Sequence, residues 1–122
     1  MAVLRLHHAQ VFYPAGEEGR ARSFYAEELG LREIPRPASL QGQPGLWFEV
    51  PGGAHVHLAV EDDLALHPRR HFALQVDDVI RMRRDLEARG VRSETAAEIT
   101  GWTRCYVFDP FGNKIELDQI DG

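Results

Sequence analysis

The chain has one cysteine among its 122 residues, Cys105. No internal disulfide can form, and a reducing, cytoplasmic setting is the expectation. Long apolar runs are missing as well. The opening Met-Ala-Val-Leu-Arg-Leu-His-His is too short and too polar for a signal peptide or a membrane span, so no membrane partner is expected. There is no basic excess. Lys and Arg number 14 against 19 Asp and Glu, a formal net charge of -5, which argues against a nucleic-acid partner. The one basic cluster, Arg81, Arg83 and Arg84, falls among acids on a predicted helix and reads as a solvated face. Apolar residues (43%) and charged residues (27%) stand in ordinary proportion, and the length suits one domain with its own core.

What the chain does have is alternation, and it has it twice. Leu6 to Tyr13 sets Ala9 and Val11 on one face and His8, Gln10 and Phe12 on the other, a strand pattern. Pro14-Ala15-Gly16 breaks it. Ala21, Phe24, Tyr25 and Leu29 then recur at helical spacing after Glu17 and Glu18, and Gly30 supplies a left-handed end. Leu31 to Pro35 reads as a short strand and Pro35 to Gly45 as a loop. Leu46 to Val50 and His55 to Val60 alternate around the turn Pro51-Gly52-Gly53. After the polar stretch Glu61 to Arg70 the order repeats. His71 to Val76 alternates. Asp77 or Asp78 caps a helix carrying Val79, Met82 and Leu86, which ends at Gly90. Val91 to Thr95, Thr103 to Phe108 and Lys114 to Gln119 are strands, the last two joined by a turn at Asp109-Pro110-Phe111-Gly112-Asn113. The expectation is an α+β fold: two tandem βαβββ modules, about 1–62 and 69–122 of a single domain, forming curved mixed sheets around a cleft.

Four residues stand at matching places in the two halves: His8 and His71 on the first strands, His57 and Glu116 on the last. Three imidazoles and a carboxylate form a divalent-metal set. His55 shares a face with His57 and is its rival. Glu49 faces the same way, either as a catalytic group or in a surface ion pair. His7 is expected on the face opposite His8. Arg104, Tyr106, Trp47 and Phe108 are candidates to hold or wall a substrate. Cys105 lies on an apolar face and reads as buried, not nucleophilic.

Several segments carry a resemblance: His8-Ala9-Gln10-Val11; Ala21-Arg22-Ser23-Phe24-Tyr25-Ala26-Glu27-Glu28-Leu29-Gly30-Leu31; His71-Phe72-Ala73-Leu74-Gln75-Val76-Asp77-Asp78; and Tyr106 through Leu117 with its Asp-Pro-Phe-Gly-Asn core. In these the chain resembles the vicinal oxygen chelate superfamily, which includes glyoxalase I, extradiol dioxygenases and fosfomycin- and bleomycin-resistance proteins. The resemblance implies that His8, His71 and Glu116 are metal ligands. It also implies that His57 stands where glyoxalase I carries a carboxylate or amide ligand. The implied cofactor is a divalent ion: zinc, nickel, cobalt, manganese or iron(II). The implied partners are a small-molecule substrate and a second copy of the chain in a homodimer. The expected activity is glyoxalase-like lyase, isomerase or transferase chemistry on a small oxygenated substrate, with Glu116 as the catalytic carboxylate. The alternatives are an extradiol-type iron dioxygenase and a bleomycin-resistance-like binding protein.

Overall fold

Each half of the chain forms an open, four-stranded mixed sheet with a helix after its first strand. The computed structural model describes residues 1–121. The chain divides into two compact units, Met1–Leu64 and Ala65–Gly122.

Unit 1 contains β1 (His8–Tyr13), β2 (Arg32–Ile34), β3 (Gly45–Glu49) and β4 (His55–Val60), in the order β1-β4-β3-β2. β1 pairs with β4 in parallel, and the other neighbours are antiparallel. Alternation puts Tyr13, Leu46, Phe48, Val56 and Leu58 on one face, all buried, against Ala21, Phe24 and Tyr25 from the helical segment. The Tyr25 and Phe48 rings stack at 5.6 Å.

That helical segment departs from its expected form. Only α1 (Glu18–Arg22) is α-helical; Ser23–Glu28 is a π-helix, in which the amide of Leu29 donates to the Phe24 carbonyl at 2.9 Å. The adjacent Phe24 and Tyr25 both face the core. Gly30, at φ +73°, ends the segment in the left-handed conformation that its lack of a Cβ permits.

Unit 2 repeats the plan with β5 (His71–Gln75), β6 (Ser93–Thr95), β7 (Trp102–Phe108) and β8 (Lys114–Ile120), in the order β5-β8-β7-β6. β5 and β8 are parallel. Its helix α2 (Val79–Ala88) is a regular α-helix. Of the two candidate caps, Asp78 caps it, accepting from the amide of Arg81 at 3.0 Å. Val79 and Leu86 pack on Cys105, Val107, Ile115 and Leu117, which form the buried face of the sheet. Cys105 is fully buried, and burial pushes its thiol pKa up, as suits a packing residue. Among the described residues no helix is long and apolar enough to cross a membrane.

Candidate functional site

The face of each sheet turned away from its helix carries the candidate donors, and their registers match. On β1 and β4, Gln10 lies opposite His57, two residues on from His8. On β5 and β8, Ala73 lies opposite Glu116, two residues on from His71. The four donors thus occupy equivalent positions, one pair per unit. Trp47 lies across from His57 just as Tyr106 lies across from Glu116.

In unit 2 the pair is in contact. His71 Nε2 lies 3.0 Å from Glu116 Oε1. The other ring nitrogen, Nδ1, lies 2.9 Å from the Arg69 carbonyl oxygen, which can only accept, so Nδ1 carries a proton. Glu116 is 6% exposed. Its Oε2 accepts from Arg104 Nε at 3.2 Å. Burial pushes the Glu116 pKa up, but hydrogen bonds from Asp118 and Arg104 and the charges of Arg104 and His71 outweigh it and hold this carboxyl below its ordinary range. Asp118 shifts the other way: burial, then its hydrogen bond to Glu116 and the charge there, raise it to about 6. Glu116 is therefore the ionised member of the pair and Asp118 the reluctant one.

Arg104 is committed to the protein. Besides Glu116 it donates to the Ala97 carbonyl at 2.5 Å and to Tyr106 Oη at 3.3 Å, and it lies 3.8 Å from Asp118. Tyr106 stays partly exposed, edge-on to His71 at 5.4 Å and with Lys114 Nζ 3.9 Å over its ring. Phe108 is buried, with the Arg92 guanidinium 3.7 Å above its ring. A cavity of about 320 Å³ in this unit lies along α2 and β7, lined by Val79, Ile80 and Cys105 among others, and none of the four donors borders it.

In unit 1 the pair is arranged differently. The His57 ring is sandwiched: Trp47 stacks on it at 3.9 Å with 1° between planes, and His8 at 4.1 Å with 21°. Ring-nitrogen electron pairs lie in the ring planes, so two nearly parallel rings do not aim them at one point. The two imidazoles are the right donors, but as held they need a ring rotation to chelate. His57 is 4% exposed, and burial followed by the neighbouring His8, His55 and His7 pushes it down to about 4, so it is neutral at pH 7. Its Nε2 lies 3.2 Å from His55 Nδ1. His7 is not set apart on the opposite face. It precedes β1, where the alternation has not begun, and its Nδ1 lies 3.0 Å from His8 Nδ1. Glu49 pairs with Arg32 at 2.8 Å on the surface.

Among the described residues no three His, Cys, Asp or Glu side chains are placed to hold a metal ion together. Sequence reading singled out His8, His57, His71 and Glu116 but not the contacts that His7 makes with His8 and Asp118 with Glu116. The repeat gave no signal for His7. Asp118 was legible only as one more residue on the face of Glu116.

The model of the Glyoxalase/Bleomycin resistance protein/Dioxygenase superfamily matches residues 5–117. A solved glyoxalase family protein from Bacillus anthracis is 33% identical, with a TM-score of 0.90, covering 99% of this chain and 98% of that one. The antibiotic-binding protein TnmS3 from Streptomyces sp. CB03234 is 22% identical, with a TM-score of 0.76 and 99% of each chain covered. The fosfomycin resistance protein FosX from Listeria monocytogenes is 18% identical, with a TM-score of 0.77, covering 99% of this chain and 93% of that one. At such identities the last two show a shared fold. No curated protein matches the chain in sequence.

Proposed function

The chain belongs to the Glyoxalase/Bleomycin resistance protein/Dioxygenase superfamily, and from that premise we propose a glyoxalase-like, metal-dependent enzyme acting on a small oxygenated substrate. The reaction class is that of a lyase, isomerase or transferase. One observation carries the metal site. His71 Nε2 and Glu116 Oε1 face each other at 3.0 Å while His71 Nδ1 keeps its proton on the Arg69 carbonyl. That contact is satisfied either by a proton on Nε2 or by a cation bound between the two atoms, and the metal reading takes the second. The donor chemistry fits: an oriented imidazole and a carboxylate kept ionised.

His8, His57, His71 and Glu116 would hold the ion, which is zinc, nickel, cobalt, manganese or iron(II). Bound there, it supplies Lewis acidity to two neighbouring oxygens of the substrate. Glu116 keeps Oε2 on Arg104, so Oε1 is the oxygen left to hold a cation or accept a proton. Tyr106 and Trp47, both partly exposed, line the substrate, while Arg104 and Phe108 act from behind them. Each unit supplies one donor pair, and in the homodimer proposed here different protomers supply the two pairs that serve one ion.

Calorimetric titration with zinc, nickel, cobalt and manganese tests the site. We expect about one ion per chain for the wild type, and binding weakened by at least about 100-fold in His71→Ala and Glu116→Gln. Equal, weak binding by all three proteins overturns the metal site. A second reading, a small-molecule binding protein, is supported by the flat Trp47-His57-His8 stack and by the likeness to TnmS3. It gains if a planar aromatic compound binds tightly and His71→Ala leaves that binding unchanged. Turnover only with iron(II), with matching oxygen uptake, points instead to the dioxygenase.

A further inference from the structure

Resting on the metal-binding reading above, we infer that His7 is a positioning residue for His8. Its Nδ1 accepts the Nδ1 proton of His8, which leaves His8 Nε2 as the nitrogen with a free electron pair. A neutral imidazole has one N–H and one bare nitrogen, and whatever engages one nitrogen decides which the other becomes. All three candidate imidazoles have one nitrogen engaged by the protein. His71 Nδ1 is held by the Arg69 carbonyl at 2.9 Å, His57 Nε2 meets His55 Nδ1 at 3.2 Å, and His8 Nδ1 meets His7 Nδ1 at 3.0 Å. A ligating imidazole is usually held in this way by a carboxylate or a carbonyl, which fixes the tautomer, orients the ring and makes the free nitrogen more basic. At His8 a second imidazole takes the first of these parts, setting the tautomer.

The His7 ring is itself fixed. The His7 carbonyl accepts from the amide of His55 at 2.9 Å, which ties the backbone before β1 to β4 at the first pair of the ladder, His8 with His55. Its ring packs edge-on against His8 at 5.2 Å and 87°, and against His55 at 5.0 Å and 65°. The perpendicular setting lets an in-plane N–H of one ring meet an in-plane electron pair of the other. A separate ion held by the histidines of this unit is the rival explanation of the cluster, but no three of them converge.

Two measurements decide the matter. Nitrogen-15 spectra of the metal-free, histidine-labelled protein should show His8 protonated at Nδ1 and bare at Nε2. The same pattern should appear in His7→Asn, whose amide oxygen replaces the accepting Nδ1, and vanish in His7→Ala. Zinc titration should show affinity reduced about 10- to 100-fold in His7→Ala and largely retained in His7→Asn, with the metal-free melting temperature unchanged in both. Wild-type His8 protonated at Nε2 overturns the inference. So does a His7→Ala variant that binds zinc like the wild type while His8→Ala does not. No zinc uptake by the wild type overturns the proposed function and this inference with it, and the wild-type titration alone tells that outcome from the others.

Discussion

His57 and Asp118 are buried titratable side chains whose shifts oppose each other. His57 is lowered from 6.5 to about 4, by burial first and then by the surrounding imidazoles. As the pH drops through that window the unfolded chain takes up a proton that the folded chain refuses, so stability falls on acidification. Asp118 is raised from 3.8 to about 6, by burial and by Glu116. Here the folded chain takes up its proton first, so stability rises as the pH drops from about 6 to about 4. At about 1.4 kcal/mol per unit, each effect is worth roughly 3 kcal/mol at most. The two largely cancel in the wild type. Asp118→Asn removes one arm, so its melting temperature should fall more steeply than that of the wild type between pH 6.5 and 4, whereas that of His57→Gln should fall less or rise. Scanning calorimetry of the metal-free proteins across that range reads both, and two variants with the slope of the wild type would show that neither shift exists.

At the scale of elements, the turn between β7 and β8 is held by one carboxylate. Asp109 Oδ1 accepts from the amides of Phe111 and Asn113, both at 2.9 Å, and Oδ2 accepts from Asn113 Nδ2 at 2.8 Å. Asp109 and Asn113 are buried. Asp109→Ala removes the acceptor of these three hydrogen bonds, and urea unfolding should show a loss of about 3 kcal/mol. The Asp-Pro-Phe-Gly-Asn phrase that most strongly suggested the family thus carries the hydrogen bonds that shape the turn. The strands were legible because alternation is a local property of the chain: His55–Val60 was read to the residue. The π-turn of Ser23–Glu28 was not, because i+5 bonding leaves the spacing of Ala21, Phe24 and Tyr25 compatible with an ordinary α-helix. The short strand β6 came out two residues shorter than expected, since nothing in Val91-Arg92 marks where pairing with β7 begins.

On the scale of the molecule, the repeat placed the four candidate residues, because residues at equivalent strand positions take equivalent registers. It could not show how each pair is held. His71 and Glu116 meet at 3.0 Å because a carboxylate reaches a ring edge. His8 and His57 stack because Trp47 offers the latter a flat neighbour. Val3, Leu4 and Leu6 are almost fully exposed, which favours association with another chain. The proposed homodimer predicts a dimeric sedimentation profile at micromolar concentration. It also predicts that mixing His8→Ala with Glu116→Ala chains restores tight metal binding at one site per heterodimer. A monomeric profile, or a mixture that binds no better than its parts, would exclude it.

The Trp47-His57 stack has an optical consequence. Indole emission is sensitive to whatever touches its face, and here that is one imidazole, parallel to within 1° and 3.9 Å away. Any event that charges, turns or metallates His57 therefore changes the light emitted by Trp47. Trp102, the second tryptophan, lies in the other unit at the start of β7 and supplies a reference signal from the same chain. The fold thus carries its own fluorescent indicator at one of the two donor pairs, with no label attached.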